Sequence, residues 1–125
     1  MRYTFVLFSF LFIFMSSCYE PKRDCTDYRE GKFSFTSTID GKEATTVFTR
    51  YDNIEIDYFS GKSDTSDVRW INDCEYVVKK LNPTSINEEK AIHMKILTTT
   101  DSSYTFEYGI VGSSKKSTGT AIKVN

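Results

Sequence analysis

Histidine is almost missing from this chain: His93 stands alone among 125 residues. A Ser-His-Asp arrangement needs a histidine base beside its nucleophile, and zinc sites gather several Cys and His ligands at short spacings. His93 alternates with Lys95 onto what reads as the polar face of a strand, so it is expected at the surface. Proline is nearly as rare, with two residues, of which Pro83 falls where a strand would stop. Long hydrophobic runs are missing too. The longest, Phe5 to Met15, spans 11 residues, about half of the roughly 20 that a spanning helix needs. A basic excess is also lacking, with 16 Lys and Arg against 17 Asp and Glu, and no basic stripe is available for nucleic acid. Finally, no segment is long enough for a crossover helix.

What is present begins at the N-terminus. Met1-Arg2 supplies a positive start, the apolar run follows, and Ser16-Ser17-Cys18 closes it. These are the parts of a secretory signal, and Glu20 to Asp24 prevent the run from extending into a span. The small pair before the cysteine resembles a lipoprotein lipobox, with Met15 where Leu is usual and Ser17 where Gly or Ala is commonest. That resemblance implies cleavage before Cys18 and acyl chains, palmitate among them, on Cys18. A cleaved signal without lipid is the alternative. Residues 1–17 then form the signal peptide, 18–30 the lipid anchor and a polar tether, and 31–125 a single β domain. Losing Arg2 leaves 15 basic against 17 acidic residues. No polybasic segment adjoins the anchor, so the acyl chains themselves must hold the protein to its membrane. No other cofactor, no metal and no nucleic-acid partner is expected, and the chain reads as a monomer.

Three cysteines in an exported chain leave an odd thiol unless one is otherwise consumed. If Cys18 is acylated, Cys25 and Cys74 remain as a pair, and in an oxidising compartment that pair is most simply a disulfide. Closing a loop of 49 positions removes unfolded-state entropy worth about 4 kcal/mol in the chain-entropy treatment. A redox role would want the two thiols close in sequence.

From Lys32 onward the chain reads as strand after strand. Phe33, Phe35, Ser37 and Ile39 alternate with polar residues, and Asp40-Gly41 supplies a hairpin turn. Ala44 to Tyr51 is β-branched and aromatic, closed by Asp52-Asn53. Ile54, Ile56 and Tyr58 read as the inner face of the next strand, with Glu55 and Asp57 outside. Ser60-Gly61-Lys62 reads as the start of a polar connection, after which Val68 and Trp70 share one face. Cys74, Tyr76 and Val78 continue inward as far as Asn82-Pro83. Thr84 to Lys90 is the one place for a helical turn. Ile92, Met94 and Ile96 form a further strand, Tyr104 to Ile110 another, and Ile122 with Val124 the last. About eight strands joined by short connections favour sequential antiparallel pairing. The expected fold is all-β: an antiparallel meander curled into a lipocalin-like barrel or half-barrel, with a β-sandwich as the alternative.

Tyr28-Arg29-Glu30-Gly31-Lys32-Phe33, then Thr49-Arg50 with Asn53-Ile54-Glu55, then Val68 to Tyr76 (Val-Arg-Trp-Ile-Asn-Asp-Cys-Glu-Tyr) resemble short Bacteroidota-type lipoproteins. Their pattern is an aromatic-x-x-Gly-x-Phe start, an Arg followed by a Gln-rich Ile/Glu strand, and a Trp-x-x-Asp-Cys-x-Tyr hairpin. Asn53 stands where that pattern has Gln. Members often carry a DNA topoisomerase label, which a slightly acidic, anchored β domain argues against. The resemblance implies a lipocalin-like domain on the outer membrane and no particular activity.

The mature chain holds five Phe, seven Tyr and Trp70, more aromatic surface than a tight small core requires. We therefore expect a non-enzymatic binding or accessory module for a small apolar ligand or an envelope protein. Trp70, Tyr76, Tyr104 and Phe106 are its candidate pocket, and Trp70 and Tyr76 flank a turn as a cross-strand pair. The alternative is an inhibitor of a hydrolase such as lysozyme, inserting the loop from Gly112 to Gly119 with Lys115 and Lys116. No residue is assigned to catalysis. Ser113 and Lys116 have a Ser-x-x-Lys spacing but lie in a loop, and Glu55 with Asp57 read as outward charges rather than a glycosidase pair.

Overall fold

A computed structural model describes residues 22–125; the expected signal peptide, Cys18 and the first part of the expected tether lie outside the described residues. Eight strands run in chain order: β1 Gly31–Ile39, β2 Lys42–Tyr51, β3 Ile54–Phe59, β4 Lys62–Trp70, β5 Glu75–Lys80, β6 Ile92–Thr99, β7 Ser103–Ile110 and β8 Ser117–Val124. Each pairs antiparallel with the next, and β8 returns to β1 from Lys32↔Val124 to Phe35↔Ala121, closing the barrel. Closure removes both sheet edges, so every strand finds its ladder partners inside the fold. The closed form of the meander is therefore correct, and the sandwich is excluded.

The turns follow from local chemistry. Asp40-Gly41, Asp52-Asn53 and Ser60-Gly61 are two-residue hairpin loops whose φ values are 51° and 77°, 50° and 62°, and 50° and 74°. Both central residues of such a turn must have positive φ, which Asn, Asp and Gly tolerate best. Asn53 thus has a backbone role, and its carbonyl also accepts the Val68 N–H at 2.9 Å. Ser60-Gly61 corrects the sequence reading, because a strand follows at once where a polar connection was expected. Lys62 to Asp67 carry no apolar alternation that would reveal it.

One end of the barrel is sealed. Cys25–Tyr28 form a single 3-10 turn with Cys25 and Tyr28 buried. Lys22 to Asp24 lie bonded on β6: Thr99 N donates to the Lys22 carbonyl at 2.8 Å, Arg23 Nη2 to the Ile96 carbonyl at 2.8 Å, and Asp24 N to Thr99 Oγ1 at 2.9 Å. From Lys22 on, the segment read as a tether is therefore part of the fold. It covers a barrel end that would otherwise expose aromatic rings. The Cys25–Cys74 disulfide, with Cα atoms 5.2 Å apart, ties this plug to the β4–β5 hairpin as expected. The opposite end, rimmed by the 40–41, 60–61, 81–91 and 111–116 connections, stays open. Thr84 to Lys90 make only turns there, held by Glu88, which accepts from the backbone N–H and the hydroxyl of Thr84.

Candidate functional site

The barrel interior is layered from the sealed end upward. Lowest is an aromatic floor in which Tyr28 and Tyr104 have ring centroids 5.2 Å apart, Phe33 and Phe48 5.2 Å, and Phe33 and Tyr104 5.6 Å. Arg50 stands within this layer, 1% exposed. Its Nε donates to Glu55 Oε2 at 3.0 Å, its Nη1 to the Tyr28 carbonyl at 2.9 Å, and its Nη2 to the hydroxyls of Tyr76 and Tyr104, each at 3.0 Å. The guanidinium also lies 4.6 Å from the Tyr76 ring centroid, 5.3 Å from Phe33 and 5.8 Å from Trp70. A buried cation is tolerated only when paired and hydrogen-bonded, and here a carboxylate, a carbonyl, two phenols and ring faces supply that. Burial opposes the charge, but Tyr76, Tyr104 and Glu55 outweigh it and raise the Arg50 pKa. Burial likewise raises both tyrosine pKa values, so each hydroxyl accepts from Arg50 with its own proton in place.

Sequence reasoning gave Arg50 no role of its own. A signal was present, since Ala44, Thr46, Phe48 and Arg50 alternate along β2 and put Arg50 in phase with a core phenylalanine. The facing of β3 was expected the wrong way round. Glu55 is buried inside the barrel and Asp57 faces inward with it, while Ile54 and Ile56 sit half-buried outside and Tyr58 is exposed. The reason lies across the ladder: Arg50 pairs with Glu55 in register, and only an inward Glu55 can meet an inward Arg50.

Above the Arg50 layer the interior opens into a cup of about 230 Å³ lined by Phe35, Thr46, Phe48, Glu55, Asp57, Tyr76, Met94, Phe106 and Tyr108. Phe35 and Phe106 lie edge-to-face at 5.4 Å, and Phe106 and Tyr108 are 5.6 Å apart. Gly119 makes this possible, because a Cβ there would run into the Phe35 ring. Asp57 also borders a second hollow of about 290 Å³, with Ser66, Val78, Lys80 and Glu88, beneath the 81–91 connection. Burial, then the neighbouring Glu55 and Asp64 carboxylates, push the Asp57 pKa up to about 7. Lys80 is engaged by Glu88 at 2.8 Å and Asp64 at 3.3 Å. The Lys80 bond, then Thr84, lowers the Glu88 pKa to about 2.

The four expected pocket residues are divided by the structure. Tyr76 and Phe106 line the cup. Tyr104 is buried in the Arg50 layer beneath it. Trp70 pairs with Tyr76 across the hairpin, rings 4.4 Å apart, but borders a polar hollow of about 440 Å³ at the sealed end, with Thr26, Asp27, Arg29, Glu30, Asp52 and Asn53. Only two of the four therefore face the open cup, because the layered barrel puts Trp70 and Tyr104 nearer its floor. Lys115 and Lys116, the candidate partner-loop residues, are exposed. Their loop is shorter than expected, since Ser117 already belongs to β8, and the Lys115 carbonyl lies so close over Gly109 that a Cβ there would sit 2.6 Å away. His93 stays on the outer face but is half-buried, its Nε2 3.1 Å from Glu75 Oε1.

No protein-family model, curated protein or solved structure matches the chain.

Proposed function

We propose that this chain is a lipid-anchored protein of a bacterial outer membrane whose barrel binds a small, largely apolar ligand and catalyses no reaction. The observation that carries the reading is the aromatic cup, open at one end of a barrel that is sealed at the other. Small barrels with an unfilled interior hold one small ligand, and 230 Å³ lies just under the usual range of ligand sites. Exposed Phe59, Leu81, Ile86 and Val111 at the rim suit the entry of an apolar molecule. Glu55, the better buried of the two inward carboxylates, is bound by Arg50, which argues for a structural duty rather than a chemical one.

The anchor fits this arrangement. Lys22 lies at the sealed end, four residues after Cys18, a reach of at most about 14 Å. An acylated Cys18 holds the sealed end toward the bilayer and turns the cup away from it. The test has two arms. Cys18→Ser should move the protein from the membrane to the soluble fraction and abolish incorporation of labelled palmitate. Native mass spectrometry of protein isolated from its own membrane should show a bound small molecule, lost on Met94→Trp, which fills the cup. A parent protein that is empty and binds nothing from a panel of apolar compounds would sink the carrier reading.

A further inference from the structure

We infer that the cup takes a small organic cation: a protonated amine facing Asp57, on an apolar body lying against Phe35, Phe106 and Tyr108. The inference rests on the carrier reading above and names its class of ligand.

The two walls of the cup differ in kind. On one side stand the rings of Phe35, Phe106 and Tyr108, whose faces attract cations when water is excluded. On the other stand Glu55 and Asp57 of β3. Glu55 is committed to Arg50, and Arg50 spends its donors on Glu55, the Tyr28 carbonyl and the hydroxyls of Tyr76 and Tyr104. Asp57 forms no ion pair within 4 Å among the described residues. The groups around it are known from every side: Glu55 on its own strand with Arg50 of β2 beneath, Asp64 on β4, Lys80 on β5, and Glu88 and Lys90 of the 81–91 connection. Its partner across the β2 ladder is Phe48, which has no charge, and Tyr76 and Tyr108 are among the lining residues. Lys80 is drawn to Asp64 and Glu88. What remains beside the rings is a half-buried carboxylate without a dedicated counter-charge.

The three ligand classes then separate by physics. An anion adds a like charge next to Asp57 and Glu55. A neutral apolar molecule strips water from Asp57 and returns no partner, a desolvation cost that discriminates against it. A protonated amine replaces that water with an ion pair and lays its charge against ring faces. Burial and the neighbouring carboxylates hold a proton on Asp57 up to a pH of about 7, so amine binding must release that proton at lower pH. Affinity therefore falls as pH drops below 7, by up to about tenfold per unit.

Calorimetric titrations on the full chain in lipid nanodiscs, with empty discs subtracted, should compare 2-phenylethylamine, 2-phenylethanol and 3-phenylpropionate. The amine should bind at least about tenfold more tightly than the alcohol at pH 8 and lose that advantage by pH 5. Asp57→Asn should bring the amine level with the alcohol at both pH values. If alcohol and amine bind equally to the parent protein, or if Asp57→Asn keeps the preference, the cation inference is overturned while the carrier reading stands. Tightest binding by the propionate overturns it as well. Failure of all three to bind removes both.

Discussion

Replacing Arg50 by Met should be the most damaging single change in the barrel interior. The side chain is 1% exposed and its loss strands the Glu55 carboxylate, itself 10% exposed. It also leaves the Tyr28 carbonyl without its donor, whereas the Tyr76 and Tyr104 hydroxyls can turn to each other. Breaking a buried ion pair from one side costs about 3–5 kcal/mol, and an orphaned buried carbonyl about 1–3 kcal/mol. These overlap, and Glu55 borders the cup, where water can reach it. The expected loss is therefore about 3–5 kcal/mol, or at least about 12 °C in Tm for a domain of this size. Arg50→Met/Glu55→Leu removes both charges and should recover at least about 2 kcal/mol of that loss, a coupling characteristic of contacting groups. Urea titrations can be followed by the fluorescence of Trp70, the sole tryptophan, 4.4 Å from the Tyr76 ring, with far-UV circular dichroism as a second probe. Because the loss approaches the whole stability of a small domain, Arg50→Lys provides a graded variant. An Arg50→Met midpoint within about 1 kcal/mol of the parent, with strictly additive double-variant behaviour, would refute the view that Arg50 and Glu55 stabilise the interior as a unit.

Asp57 should make the barrel less stable as pH rises. Its folded pKa of about 7 lies above the ordinary 3.8, so the native state binds more protons than the unfolded state between those values, and stability declines across that window. After allowance for partial exposure the penalty above pH 7 is about 1–2 kcal/mol. Asp57→Asn should recover it in urea titrations at pH 8 and change little at pH 4. Reducing the Cys25–Cys74 bond, or changing both residues to Ser, should lower stability by about 4 kcal/mol; hydrogen exchange would show the loss first at Lys22 to Tyr28, which that bond ties to the hairpin. Gly119→Ala should push the Phe35 ring into the cup and weaken binding of cup ligands about tenfold, with a stability change of only about 1 kcal/mol. Unchanged binding in that variant would show that ligands do not occupy the space beside Phe35.

Much of the fold is legible in the chain because its causes are local. Asp40-Gly41 and Asp52-Asn53 announce tight turns through residues that accept positive φ. Phe33 with Phe35, Val68 with Trp70, and Tyr76 with Val78 show two-residue alternation and lie inside as expected. Cys25 and Cys74 are matched by elimination once Cys18 is set aside. The interior of β3 could not be read this way. A period of two identifies two faces of a strand without saying which is inner, and Ile54, Ile56 and Tyr58 pointed to the more apolar one. The answer depends on Arg50, whose phenol partners lie 26 and 54 residues away. The same holds for Lys22 to Tyr28, polar and unperiodic in sequence, which order only against the rings and β6 groups they cover. Composition and alternation thus determined an all-β meander with its Asp40-Gly41 and Asp52-Asn53 turns and its disulfide. Closure of the barrel decided which polar groups went inside, because burying a charge depends on partners that only the tertiary structure brings within reach.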